Sequence, residues 1–387
     1  MSSDRTRFAV RLALFYATSF AVSGAYMPFF PVWLKAKGLD PAWIGIVMTM
    51  PTLARLSAVP LVTRLAERRR AIHEVLCATA MLTCAGFALL AAMPNAAAIT
   101  AMILVTACVW TPTAPLTDAY ALHGVAIHHV DYGPIRLWGS VAYVVGVFAA
   151  GLVATAIAPI HLIWFIVALT VLNAVMSMLI EPLGRADQPS TIPANRFGLL
   201  SSWPFLIVVA AAALIQGSHA AYYVFSAIAW EAQGFSSVTI GTLWSICVVA
   251  EIVLFAISPR LDITYSSLLV AGGIGGAVRW VATASEPPLA VLGGVQLLHA
   301  LSFGATHLGM MGLLARLVPR HATASAQGFV TAGIGMVTAV ASITCGRLFA
   351  AYGQSIYLGM AGMALGGGML MLVAHRRVEA AAGSDGR

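Results

Sequence analysis

Residues 26–45, YMPFFPVWLKAKGLDPAWIG, and residues 222–241, YYVFSAIAWEAQGFSSVTIG, are an internal repeat that keeps six of its twenty positions. At an offset of 196, Tyr26 meets Tyr222, Phe29 meets Phe225, Ala36 meets Ala232, Gly38 meets Gly234, and Ile44-Gly45 meets Ile240-Gly241, without a gap. Each copy is an apolar run, a short polar turn around a glycine, and a second apolar run, which reads as a helix end, a tight turn and the next helix start. The same register sets Arg55 opposite Glu251 and Arg64 opposite Arg260. Further on, at an offset of 189, Gly139 meets Gly328, Val141 meets Val330 and Gly146 meets Gly335. Two helical halves in parallel repeat are an architecture used by membrane transporters.

The chain around the repeat is apolar almost throughout. Of its 387 residues 60% are hydrophobic and 9% charged, against roughly a quarter charged in a soluble domain. Its mean hydropathy is +0.89. Apolar segments lie near 8–31, 42–62, 72–93, 96–120, 136–158 and 161–180, and again near 203–228, 238–258, 265–284, 289–314, 324–347 and 355–375. Between the two sets runs the polar stretch Glu181 to Arg196, with Pro182, Asp187, Gln188, Pro189 and Pro193, which has linker composition. At roughly 20 residues per crossing, a dozen crossings consume about 240 residues and leave no room for a sizeable soluble domain. The expected fold is an all-α polytopic membrane protein with twelve transmembrane helices. Its halves are 1–180 and 201–376, with a cytoplasmic linker at 181–200 and a cytoplasmic tail at 377–387.

Basic residues orient the chain, because cytoplasmic loops retain Lys and Arg. With both termini inside, only Lys35, Lys37 and Arg347 of the 21 fall on outer segments, while Arg55, Arg136 and Arg279 lie within or at the ends of spans. The net charge of +7 is therefore spread over loops, which excludes a nucleic-acid-binding face. Cys77, Cys84, Cys108, Cys247 and Cys345 all stand in apolar segments, so neither disulfides nor zinc sites are expected. No Walker A motif is present to power transport with ATP, and no nucleophile motif appears. His128, His129 and Asp131 read as a solvated loop cluster, and no metal site is expected.

Ionisable groups inside a bilayer cost a few kcal/mol each, so they face a cavity or a partner and point to function. Arg55 and Glu251 each stand about thirteen residues into a span, roughly 20 Å from its outer end. Glu251 is expected on a cavity; a structural ion pair is the competing reading. Gln296, His299, Phe303 and His307 recur at intervals of three, four and four, and so share a helical face. Tyr16, Ser19, Ser23 and Tyr26 form a second stripe, and Gln216, His219 and Tyr223 a third. Satisfied packing histidines are the alternative for His219, His299 and His307. Asp118 follows Pro112 and Pro115, which remove backbone donors and bend a helix. Arg136 opens the next span at similar depth, ahead of Ser140 and Tyr143, and is expected to meet Asp118. Gly272 and Gly276, like Gly362 and Gly366, are expected at close helix contacts.

These residues resemble the major facilitator superfamily, and within it the phenylpropionate permease group, which is similar to lactose permease and the nucleoside proton symporters. The resemblance covers nearly the whole chain. Its most specific piece is Gln296-Leu-Leu-His299-Ala-Leu-Ser-Phe303-Gly-Ala-Thr-His307, which looks like that group's tenth-span signature, and Arg136-Leu-Trp138-Gly139-Ser140 looks like its fifth-span motif. Glu251, Arg279-Trp280 and His299 resemble the charged set linked to proton coupling in lactose permease. Asp118 and Arg136 resemble its substrate-binding acid and arginine. Two departures stand out. The gating motif after span two carries Thr63 where glycine is usual and Glu67 where aspartate is usual, and Ser302 stands where lactose permease has a glutamate after the histidine.

The resemblance and the residues together imply a secondary active transporter, not an enzyme. It is expected to be a proton-coupled symporter of a small aromatic or hydrophobic carboxylate, working by alternating access with uptake as the direction. A sugar or nucleoside symporter, or a drug or metabolite exporter, is the alternative on the same fold; a membrane enzyme or receptor is the alternative outside it. Proton coupling falls to Glu251, Arg279, His299 and His307. Substrate binding falls to Asp118, Arg136, Tyr143, Arg55, His219, Tyr26 and Tyr222, and gating to Glu67 and Arg68. No cofactor beyond the proton gradient is expected. The partners are a small solute and the lipid bilayer, the chain is expected to be a monomer, and its place is the bacterial inner membrane with both termini cytoplasmic.

Overall fold

A computed structural model describes residues 2–69, 71–183, 202–319 and 322–384. Most of the expected linker at 181–200 and the last residues of the tail lie outside them. Among the described residues the chain is helical and has no strand. The first half is built from α1 (Ser2–Ala36), α2 (Pro41–Arg69), α3 (Ile72–Ala92), α4 (Ala96–Trp110), α5 (Thr113–His128), α6 (Tyr132–Ala156) and α7 (Leu162–Leu179). The second holds α8 (Trp203–Gly217), α9 (Ala220–Ala232), α10 (Ser237–Ile257), α11 (Tyr265–Ala284), α12 (Leu289–Leu297), α13 (Thr306–Leu317), α14 (Thr323–Tyr352) and α15 (Ile356–Ser384). Among the described residues eleven helical stretches are long and apolar enough to cross a membrane. The last of them, Ser325–Ala382, contains both α14 and α15 with a turn at Gly353–Ser355 between them. Counted as two crossings, that pair brings the total to the expected twelve.

The duplicated passage folds the same way twice. Gly38 and Gly234 take φ of +85° and +87°, a left-handed conformation that costs glycine little. At each, the glycine N–H bonds back to the carbonyl three residues earlier and the next N–H to the carbonyl five residues earlier: Gly38 to Lys35 and Leu39 to Leu34, Gly234 to Glu231 and Phe235 to Trp230. That is the Schellman arrangement, which satisfies the carbonyls left open by a helix end. The helices α2 and α10 then start at Pro41 and Ser237, again 196 apart.

Among the described residues three spans are interrupted. Pro112 caps α5 after α4 ends at Trp110, so the fourth crossing breaks where its prolines withdraw backbone donors. The seventh breaks after Gly217, and the tenth passes through a π-helical turn at Ala300–Ala305 between α12 and α13.

By contacts the chain forms two compact units, Met1–Pro189 with Val224–Thr242, and Ser190–Tyr223 with Leu243–Arg387. The first has a core of Phe8, Leu12, Phe15, Leu116, Tyr120 and Ile135. The second has one of Phe205, Val208, Leu269, Met310, Leu313 and Met371. Large aliphatic side chains such as Leu61, Val105, Val340 and Leu372 are at least 60% exposed, as suits surfaces whose solvent is hydrocarbon. Of the expected small-residue contacts, Gly272 lies against Thr306 and Gly276 against Ala364, whereas a Cβ at Gly362 or Gly366 would meet nothing. Their neighbours Gly367 and Gly368 make the contacts instead, because α15 turns that edge of the helix toward α8 and α11.

Candidate functional site

The second unit is organised around one arginine. Arg279 of α11 is fully buried. Its Nη1 lies 2.8 Å from His299 Nδ1 and 3.4 Å from Ser302 Oγ, and its Nη2 lies 3.1 Å from Gln296 Oε1 and 3.3 Å from Cys247 Sγ. The guanidinium carbon sits 4.5 Å from the ring centres of both Tyr222 and Trp280. Planar cation and flanking rings attract one another, which helps keep a charge where water does not reach. The interruptions supply the ring of partners. Ser302 stands in the π turn, a form of backbone frequent at functional sites. Ser218, in the break of the seventh span, accepts from Trp280 Nε1 at 2.9 Å.

Hydrogen-bond direction around Arg279 follows from donor inventory. An arginine only donates, so His299 Nδ1 must accept, which leaves the proton of the neutral ring on Nε2. That nitrogen points at Glu251 Oε2, 3.6 Å away. On the other branch, His219 Nδ1 lies 3.2 and 3.1 Å from the carbonyls of Ile215 and Gln216 and therefore carries a proton. Its Nε2 accepts from Ser302 Oγ at 3.1 Å. The donors of this network run outward from Arg279, and Glu251 faces the end of one branch at 3.6 Å, beyond hydrogen-bond distance but close enough for its charge to act on the His299 ring. No ion pair joins Arg279 to Glu251; His299 stands between them. The stack continues from His299 to Phe303 at 5.2 Å and on to His307 at 6.3 Å.

In the first unit the expected pairing is absent. Asp118 of α5 is held by two phenols, Tyr16 OH at 2.6 Å and Tyr132 OH at 3.0 Å, both donating to Oδ1. Arg136 of α6 makes no ion pair with it. The guanidinium lies instead 4.2 Å from the Phe20 ring centre and 5.4 Å from that of Tyr16, and has no hydrogen bond or ion pair among the described residues. In this conformation phenols satisfy the Asp118 carboxylate and an aromatic face holds the Arg136 cation, so the two meet other partners than each other.

The remaining candidates are dispersed. Tyr26 is buried against Phe30, Phe87 and Trp110, with its hydroxyl 3.8 Å from Met48 Sδ. The stripe on α1 is thus divided among neighbours, since Ser19 accepts from Asn173 Nδ2 at 2.8 Å. Tyr143 is half-buried on α6, where its carbonyl packs on Gly24. Arg55 is exposed on α2 and has no hydrogen bond or ion pair among the described residues. Glu67 and Arg68 are exposed at the end of α2. His128 leaves its loop neighbours to meet Glu181 at 2.7 Å, stacked on Phe8 at 4.3 Å. Tyr132, Phe20, Cys247 and Ser302 escaped the sequence reading as site residues, since neutral groups give no charge signal.

Interrupted spans that gather ionisable side chains deep within apolar helices are the construction of a polytopic membrane transporter. The model of the MFS_1 like family matches residues 9–358, and the chain belongs to that family, within the major facilitator superfamily. It is 33% identical over 362 residues to the "Probable 3-phenylpropionic acid transporter" of Escherichia coli (strain K12), covering 92% of this chain and 94% of that one. It is 26% identical to the "Maltose permease" of Geobacillus stearothermophilus, covering 82% of each. The fold matches the crystal structure of the nucleoside transporter NupG with a TM-score of 0.82 at 15% identity, over 95% of this chain and 99% of that one. A D-xylose-proton symporter matches at 0.73 and 13% identity, over 94% and 97%. The protein is a membrane transporter and not an enzyme.

Proposed function

We propose that this transporter is a proton-coupled symporter of a small aromatic carboxylate. The observation that carries the substrate half is Arg136, a guanidinium with no carboxylate partner lying on the Phe20 ring while Asp118 is occupied by Tyr16 and Tyr132. An unpaired guanidinium beside an aromatic face offers a fork for a carboxylate and a surface for a ring. The Escherichia coli relative named for 3-phenylpropionic acid supports the same chemistry.

The coupling half rests on the branch from Arg279 through His299 to Glu251. A proton arriving on Glu251 removes the negative charge that His299 Nε2–H faces, so the ring loses a reason to keep its orientation. With the ring go the acceptor on Arg279 and the setting of the whole network. His307 and Tyr222 belong to this assembly, and His219 fixes its other branch. Arg55, Tyr143 and Tyr26 take supporting places in the substrate half, and Glu67 and Arg68 the gate at the end of α2. In this reading the two sequence halves, 1–180 and 201–376, move about the solute in a monomer, with both termini on the cytoplasmic side of the inner membrane.

Binding to purified protein tests the substrate assignment. 3-Phenylpropionate should bind about ten-fold or more tightly than its amide or its alcohol, as expected for a charge-assisted hydrogen bond, and Arg136→Gln should erase that preference. Equal affinity for all three would make a neutral solute, such as a sugar, the better reading.

A further inference from the structure

The second unit carries a groove on its outer face that solute transport leaves unused. Its walls are α11 and α15. The helices touch at Gly273 and Gly368, where a Cβ on Gly273 would stand 2.5 Å from the Gly368 Cα. They are tied again at Ser266, whose hydroxyl donates to Glu379 Oε1 at 2.6 Å and lies 2.8 Å from His375 Nδ1. Outside these two contacts the groove runs along Val270 and Ile274 on one wall and Leu372 and Val373 on the other, and ends at Arg376 and Arg377.

Polarity along the groove is graded. Ile274, away from the arginines, is 52% exposed, and Val373, one helical turn before Arg376, is 85% exposed, surfaces suited to hydrocarbon. At the outer end Arg376 and Arg377 are both exposed, adjacent in sequence, and without a hydrogen bond or ion pair among the described residues. Ser267 joins them there; its Oγ accepts from Thr264 and keeps its own proton to donate. Arg316, at the same end of the unit, is by contrast occupied by the Tyr265 ring and by Glu379 at 3.9 Å. From Ser267 to Ile274 the wall is about 10 Å long at 1.5 Å per residue. Two unpaired guanidiniums call for an anion, and the apolar floor that continues from them calls for a hydrocarbon chain attached to it. A soluble anion leaves the floor uncovered, and a zwitterionic lipid brings its own cation beside the arginines.

We propose that this groove binds one anionic phospholipid, its phosphate on Arg376 and Arg377 and an acyl chain along Val270, Ile274, Leu372 and Val373. The leaflet is the one at the arginine end, cytoplasmic by the positive-inside rule.

Native mass spectrometry of the full-length protein released from detergent tests this, with phosphatidylglycerol and phosphatidylcholine of identical chains added in equal amounts. One phosphatidylglycerol should be retained in preference. The preference should fall about five-fold for Arg376→Gln or Arg377→Gln and by roughly thirty-fold for the double variant, the effect expected for two basic residues near a charged surface. Arg260→Gln, elsewhere at the same end, should leave it unchanged. Ala271→Trp, which fills the groove without touching charge, should expel the lipid too, and millimolar glycerol phosphate should not compete. Equal retention of the two lipids, an equal effect of Arg260→Gln, or displacement by glycerol phosphate alone would overturn the proposal. Thermal unfolding of each variant in detergent keeps loss of the site distinct from loss of the fold.

Discussion

Glu251→Gln should abolish proton-driven accumulation and leave exchange of solute across the membrane within about two-fold of the parent, because the change removes one ionisable group and little else. Glutamine has the shape of glutamate and still offers a carbonyl oxygen to His299 Nε2–H, so the network around Arg279 keeps its donors and acceptors. What it cannot do is take up and release a proton. Reconstituted vesicles separate the two readings: uptake against a gradient driven by an imposed proton gradient, and counterflow of labelled against unlabelled solute with none. Accumulation that persists in Glu251→Gln would move the proton to His299, the next group along the branch. That outcome would leave the arginine-centred geometry intact and change only which atom titrates.

Arg279→Lys should cost transport about a hundred-fold while the chain still folds, and Arg279→Ala should destabilise the protein by about 2–5 kcal/mol. An ammonium keeps the charge but is a compact point. It cannot meet His299, Ser302, Gln296 and Cys247 together, nor lie flat between Tyr222 and Trp280. Alanine leaves those buried acceptors with no donor. Transport assays and thermal unfolding in detergent read the two effects. Nitrogen NMR of labelled histidines adds a direct sign, because without the guanidinium His299 loses the partner that places its proton on Nε2. Full activity of the lysine variant would show that the arginine's forked geometry has no part in the cycle.

Gly38 and Gly234 were legible as a repeated turn because a left-handed helix end selects for glycine and an ungapped register repeats it. Pro112 announced the break in the fourth crossing for an equally local reason, the missing backbone donor. Nothing in Ala300-Leu-Ser-Phe-Gly-Ala305 announces a π turn, and its closest neighbours, Gly272 and Gly275 of α11, are distant in sequence. At the candidate site, charge was visible and its neutral partners were not. Counting signs pointed Asp118 toward Arg136, but a carboxylate is equally satisfied by phenols, and Tyr16 and Tyr132 reach it first. Likewise Glu251 and Arg279 were both legible as deep charges, whereas the insertion of His299 between them depends on how α10 and α11 face the tenth span. The glycines of α15 show the same limit: spacing identifies small-residue positions, but the rotation of the helix decides that Gly367 and Gly368 carry the contact.

Solute-induced proton movement tests symport most directly. Purified protein in lightly buffered vesicles, given 3-phenylpropionate outside and no imposed gradient, should alkalinise the external medium faster than protein-free vesicles do, as each carboxylate enters with a proton. The excess rate should vanish in Glu251→Gln. Entry of labelled solute through the protein with no alkalinisation beyond the protein-free rate would contradict the account.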